Sequence, residues 1–351
     1  MYNLYLILPF QAAKKMKRCF IALLFFSLGV VCANISIAQI QRSGKLIWPA
    51  FSDTPRIVFT STISSFRNIE NKSSNIFEDA FNLLLGNEEQ EHQFVQPVGI
   101  TISVKKKLYV TDPGARGVHV IDMANENYHF IANTLEENLL SPVGITISEE
   151  GMLYVSDSEQ GKIIAYDEDY DVQFEITEHL MRPTGLLFSE KVLYVTDAGR
   201  HAVVAFTSDG KFLAEYGRRG SGTGEFNYPI QLAASENLYI VDALNYRIQE
   251  IHRDGMFSSS FGTIGNVAGK FASPKGIAID SAGFVYVTDA MMDNFQIFNR
   301  EKKLMLVVGT HGSGDGEFMS PGGIAIDREN NIYVVDMLNR RIQIFQMVNY
   351  K

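Results

Sequence analysis

Six short apolar runs in this chain end in aspartate, at Asp112, Asp157, Asp197, Asp242, Asp289 and Asp336. A ring of such carboxylates would offer oxygen ligands to a hard cation. The competing role is local, because an aspartate at a strand end accepts hydrogen bonds from the amides of the turn that follows it. Recurrence in every copy favours the local role. Two glycine-rich runs, Gly217 to Gly224 and His311 to Gly316, suggest a phosphate-binding loop. Neither has the strand-loop-helix context or the Lys-Ser/Thr pair that such a loop needs, so both read as connectors. The two cysteines, Cys19 and Cys32, stand near the N-terminus, which excludes a disulfide scaffold and a cysteine nucleophile in the body of the protein. With 31 basic against 40 acidic residues, a net charge of −9, the chain carries no footprint for a polyanion.

The elements that hold these residues follow from an internal repeat. Pro97, Pro142, Pro183, Pro229, Pro274 and Pro321 each open a short apolar unit, and an aspartate-terminated run follows 13 to 15 residues later. The copies stand 40 to 47 residues apart. Within the fifth, residues 276–280, 285–289, 294–298 and 304–309 are β-branched or aromatic runs separated by turn residues. Each copy is therefore four strands, with no helical pattern between them that would build a parallel sheet. Runs such as Leu-Tyr-Val and Val-Tyr-Val are apolar on both faces, as sheets sandwiched between neighbours require. A ring of six buries both faces of every sheet. The fold class expected is all-β, a six-bladed β-propeller of four-stranded antiparallel blades over 97–351.

The last copy ends too soon after residues 341–345 to supply its own outermost strand. The β-branched run at about 56–61 would complete that blade and close the ring, leaving no open edge. One short helix is expected before the first blade, at about 76–85. Asn75 and Glu78 imitate a capping box there, Gly86 is a stop, and Phe77, Ala80, Phe81 and Leu84 share a face.

Residues 14–38 carry a basic cluster (Lys14, Lys15, Lys17, Arg18), an apolar run, and small residues at Ser36 and Ala38. This pattern predicts a secretory signal over 1–38 that is removed after Ala38, followed by an N-terminal segment 39–96. The mature chain would hold 27 basic and 40 acidic residues and no cysteine. Retention of residues 20–38 as a single membrane anchor, or lipidation at Cys32, are the alternatives. The location expected is periplasmic or extracellular.

Gly224-Glu225-Phe226, Pro229, the run to Asp242, and Asn245 to Gln249 recur as Gly316-Glu317-Phe318, Pro321, the run to Asp336, and Asn339 to Gln343. These residues resemble NHL repeats, and the likeness spans 94–346. Other copies depart from it, with Ala115 to Val118, Gln160 to Ile163, Arg200 to Val203 and Met292 to Phe295 replacing the Asn-x-Arg-Ile element. The resemblance implies a six-bladed propeller that serves mostly as a binding platform, with a minority of enzymes. One relative, the lyase that completes peptide amidation, holds zinc on channel histidines. Only His201 offers a comparable imidazole here, where a zinc site needs about three protein ligands. His119, His129 and His252 are expected to be packed or surface residues.

In propellers the loop after the second strand surrounds the channel mouth. Those loops carry the candidate ligand-binding residues Arg116, Arg200, His201, Tyr246, Asp293 and Arg340. Three arginines on the rim of an acidic protein suit a carboxylate or phosphate held bidentately, unless they are solvated and paired with nearby acids. No catalytic residue, metal or cofactor is assigned, zinc and calcium being the two metals weighed. The function expected is a binding scaffold for a protein, a peptide or a small anionic ligand, not for nucleic acid. The alternative is a metal-dependent lyase or hydrolase outside the cytoplasm.

Overall fold

The computed structural model describes residues 38–41, 46–49, 56–67 and 91–348. The signal segment, apart from Ala38, and the helix expected at about 76–85 lie outside those residues. Five antiparallel sheets of four strands follow one another along the chain, and a sixth joins its two ends. In the fifth blade, Pro274–Ile279, Val285–Asp289, Asn294–Phe298 and Leu304–Val308 pair in sequence order. The boundaries match the sequence pattern except that the first strand begins at its proline and the first and fourth strands end one residue sooner, at Ile279 and Val308. Pro274 pairs with Asp289, and an irregularity before Ile277 bends the strand there. A proline is tolerated as a first strand residue because no ladder hydrogen bond needs its missing N–H.

The first strands form the inner wall. Ile100–Ile102, Pro142–Ile147, Pro183–Ser189, Pro229–Ala234, Pro274–Ile279 and Pro321–Ile326 touch in succession, and the last touches the first. Second and third strands are buried on both faces, as in Val285–Asp289 and Asn294–Phe298, whereas the outer strand Phe257–Phe261 alternates. The hydrophobic core is accordingly split into six wedges, one between each pair of neighbouring blades. Phe226, Phe271 and Phe318, each two residues after a connector glycine in the sequence, fill three of these wedges.

Closure uses the N-terminal run and more of it than the β-branched stretch suggested. Ile57–Arg67 runs antiparallel to Arg341–Met347 from Ile57↔Met347 to Ile63↔Ile342. It then continues past Ser64 and Ser65 to pair with Glu91–Gln93, with Ala38–Gln41 and Ile47–Trp48 on its other side. The serines hid this extension because they lower the β-branched signal, but Phe66 beyond them is fully buried against the rings of Phe94 and Tyr128.

Hydroxyls and glycines tie the blades together at the axis. Thr111, Ser156 and Thr288 accept the amides of Gly99, Gly144 and Gly276 at 2.7–2.8 Å. Each donates to a carbonyl of the next inner strand, Val143, Thr184 or Gly322, at 2.6–2.7 Å. The Gly323 amide closes the circle on the Val98 carbonyl at 2.8 Å. These glycines have no room for a side chain: a Cβ on Gly276 would lie 2.6 Å from the Gly322 oxygen, and one on Gly144 would overlap the Thr184 oxygen outright.

On the outer side, Glu250 joins the fourth blade to the fifth. Its carboxylate accepts hydrogen bonds from Asn237 (2.7 Å), Tyr239 (3.1 Å) and Ser259 (2.6 Å), and pairs with the Lys302 ammonium. Burial by itself would raise its pKa, but the bonds from Asn237, Lys302 and Ser259 outweigh burial and hold it at about 2, against an ordinary 4.5. A carboxyl depressed in the folded state contributes stability above its unfolded pKa and loses it as pH falls through the folded one. Glu250→Gln is therefore expected to cost about 2 to 3 kcal/mol at pH 6: the fall from 4.5 to about 2, at about 1.4 kcal/mol per pKa unit, sets a ceiling of about 3.5 kcal/mol, which solvent screening lowers. The gap to wild type should shrink as pH falls from 4.5 towards 2. Urea unfolding of both proteins across that range checks this, and a pH-independent gap would contradict it.

Candidate functional site

The six strand-ending aspartates are completely buried, and their oxygens are occupied by the protein itself. Asp157 accepts the amides of Leu140 and Ser141 from the connector before its blade, and those of Glu159 and Gln160 from the turn after it. Asp289 does the same with Ala272, Ser273, Met291 and Met292. Asp112 adds the ring of His119 at 3.3 Å, and although burial pushes its pKa up, His119 and the amides of Val95, Gln96 and Ala115 bring it below the ordinary value. In Asp336 burial prevails over its hydrogen bonds and the pKa is raised. The aspartates thus lock each turn to its connector, the local role that their recurrence implied.

The Asn-x-Arg-Ile-Gln element clamps the glycine-rich connectors. Arg341 reaches Asp336 at 2.7 Å and the carbonyls of Ser313, Gly314 and Glu317 at 2.7–2.8 Å. Asn339 holds the Gly312 carbonyl, and Gln343 both accepts the Gly316 amide and donates to the Glu317 carbonyl. The fourth blade repeats this with Asn245, Arg247 and Gln249 around Gly220, Gly222 and Glu225. The carbonyls of these loops are thus spent on side chains of the next blade, consistent with connectors.

The candidate residues of the turns occupy one structural position. Arg116, His201, Tyr246, Asp293 and Arg340 all take positive φ, between 50° and 57°, and Gly161 stands at the equivalent place with φ 66°. Two of them latch the following blade. His201 Nδ1 accepts the Tyr228 amide at 3.1 Å, and Asp293 accepts the Ser320 amide at 2.8 Å while its other oxygen meets His311. Arg200 pairs with Glu215 at 2.6 Å, Tyr246 packs on the wedge containing Phe271, and Arg116 and Arg340 are exposed. His119 is buried between Asp112 and the Tyr128 hydroxyl, His129 stacks on Tyr170, and His252 meets Asn237. Among the described residues no group of three or more His, Cys, Asp or Glu is placed to share a metal ion.

A cavity of about 250 Å³ opens on the axis of the face where the aspartate turns lie. None of the six candidate residues lines it. Its wall comes instead from residues beside the prolines, including Arg182, Thr184, Tyr228 and Lys275, and from residues directly after the aspartates, Ser158 and Met337. The turn travels outward from the second strand to the third, so its first residue faces the axis and its third and fourth stand on an outer ring. The sequence held a signal for the inner set: a residue flanking the proline of a channel-lining strand must lie at the channel mouth.

The wall carries two cations, Arg182 and Lys275, and no carboxylate. The Arg182 guanidinium lies over the Tyr228 ring, 5.7 Å from its centroid. Neither cation has an ion-pair partner among the described residues. Ser158 is fixed by donating to the Pro183 carbonyl, and the Gln231 side chain by accepting its neighbour's amide at 3.0 Å.

A family described as a 6-bladed beta-propeller, DUF5128, matches residues 178–251 and 279–351. No curated protein matches the sequence. Solved structures with the same fold include virginiamycin B lyase from Staphylococcus aureus, at 18% identity and a TM-score of 0.54, covering 72% of this chain and 95% of that one. A gluconolactonase from Xanthomonas campestris aligns at 14% identity and a TM-score of 0.58, covering 89% of this chain and 100% of the other. An auxiliary nutrient binding protein from Bacteroides thetaiotaomicron aligns at 14% and 0.58, covering 72% and 69%. At such identities the likeness concerns the fold, on which unrelated chemistries are grafted. Wedges, ring contacts, family match and structural neighbours agree that this chain is a six-bladed β-propeller closed by its N-terminal strand.

Proposed function

We propose that this chain is an exported propeller of the NHL-repeat type that acts as a binding scaffold, holding a protein, peptide or other ligand on the loop face around the channel. The observation that carries the reading is the axial cavity, open to that face and walled by unpaired cations, hydroxyls and apolar side chains. Function concentrates on loops that a rigid frame presents. Arg116, Arg200, His201, Tyr246, Asp293 and Arg340 form the outer ring of this face. Export rests on the basic cluster, apolar run and small-residue boundary of residues 14–38. The second reading is a metal-dependent lyase or hydrolase outside the cytoplasm; among the described residues no histidine or carboxylate lines the cavity to support it there.

The test is recovery of partners by the immobilised protein from an envelope extract. Lys275→Glu with Leu338→Glu charges the loop face, and Lys105→Glu alters a second groove, between the first two blades, where Lys105 is part of the wall. Partners should survive the groove change and be lost with the loop-face change. Equal recovery by all three proteins would refute the scaffold reading, as would turnover abolished by a chelator.

A further inference from the structure

Beside the cavity lies an exposed apolar arc. The second residue after the aspartate is Leu244 in the fourth blade, Met291 in the fifth and Leu338 in the sixth, and these are 52%, 73% and 59% exposed. The equivalent residues of the first three blades are Gly114, Glu159 and Gly199, so this turn position is apolar in one half of the rim; in the other half Val95 and Met181, 47% and 66% exposed, stand against Gly114 and Gly199 instead. Its backbone is pinned: Leu244 donates its amide to Asn227, Met291 to Asp289 and Leu338 to Met319. Large apolar side chains held out on consecutive turns mark an interaction surface. Arc and cavity adjoin in the sixth blade, where Met337 lines the cavity and Leu338 follows it on the arc.

Two chemistries therefore adjoin. The cavity presents Arg182 and Lys275 without an ion-pair partner and with no acid in its lining among the described residues, although the buried Asp197 carboxylate accepts the Arg182 amide at 3.0 Å, in a chain whose net charge is −9. A concave wall of one sign concentrates the field and draws the opposite charge. The Arg182 guanidinium, 5.7 Å from the centroid of the Tyr228 ring, is a group that pairs bidentately with a carboxylate. A small acid confined to about 250 Å³ would leave the arc untouched, whereas a chain crossing the rim would reach both.

Resting on the scaffold reading above, we infer that the partner is an acidic peptide segment. One of its carboxylates enters the axial cavity between Arg182 and Lys275, and its flanking apolar side chains lie on Leu244, Met291 and Leu338. The tight glycine contacts of the inner ring keep this site preformed, so the protein loses little freedom on binding.

The test uses fluorescein-labelled octapeptide pools with a central Asp or Glu flanked by Leu and Met, and matched pools with Asn or Gln at the centre. Anisotropy with the full chain should show binding of the acidic pools at least tenfold tighter than the amide pools, weakening as salt is raised. Arg182→Gln with Lys275→Gln should remove that preference. Leu244→Ser with Leu338→Ser should weaken the acidic pools at least tenfold while leaving binding of free glutarate unchanged. All four positions are exposed, and an unaltered melting temperature shows that each variant is folded. Equal binding of acidic and amide pools, binding of glutarate without peptide, no binding at all, or a dimer that buries the arc would each overturn the inference. If peptides fail while the loop-face changes still abolish partner recovery, the scaffold stands and the acidic-peptide assignment falls.

Discussion

Gly144→Ala is expected to destabilise the protein by about 3 kcal/mol or more, at the upper end of what overpacking costs. The added methyl group would overlap the Thr184 carbonyl oxygen and come within 2.9 Å of its carbon and of the Ser156 hydroxyl. The obstacle is backbone of the next blade, and that carbonyl is already fixed by the Ser156 hydroxyl at 2.6 Å. It cannot move without opening the ring. Gly144 has no positive φ, so the penalty is steric and not conformational. Gly222→Ala is the control: the group its Cβ would meet is the Glu225 carboxylate, at 3.0 Å, the mobile end of a side chain. That change should cost less than about 1 kcal/mol. Chemical unfolding of both variants decides the matter, and equal stabilities would show that the inner ring tolerates expansion.

Removing residues 1–67 is expected to abolish the folded monomer. Ile57, Phe59, Ile63 and Phe66 are each at most 4% exposed and fill the two wedges beside the sixth blade. At roughly 1.5–3 kcal/mol per buried side chain, their loss rivals the whole stability of an ordinary domain. The Arg341–Met347 strand would also be left as an apolar edge with unpaired amides, a template for aggregation. A synthetic peptide of residues 56–67 supplied in trans should restore a cooperative transition, because the closing strand pairs along its length with Arg341–Met347. A truncated chain that melts cooperatively at the wild-type temperature without the peptide would contradict this account of closure.

The architecture was legible because a repeat states the same local rule six times. Prolines opening inner strands, aspartates ending second strands and the missing last strand all follow from the repeat, and the structure agrees with each except in the first blade, whose inner strand begins at Ile100 and not at Pro97. The aspartate's role was readable for the same reason, since its amide partners sit in the adjoining turn and connector. The role of the hydroxyl before the aspartate is not legible in the same way. Its second partner is a carbonyl of the next blade, some 30 residues away, and Val241 and Val335 break the pattern in two copies.

The binding face shows where local rules stop. The sequence by itself placed Arg116, Arg200, His201, Tyr246, Asp293 and Arg340 in turns after second strands, and its repeat determined the fold, the blade count and the strand that closes the ring. Only the tertiary structure decided which turn residues face the axis, that His201 and Asp293 are engaged by the amides of Tyr228 and Ser320, and that Arg182 and Lys275 meet in one cavity. The physical reason is that strand pairing is set by residues close in sequence, whereas the direction a turn takes relative to the axis, and the cross-blade contacts it makes, exist only once six sheets have closed on one another.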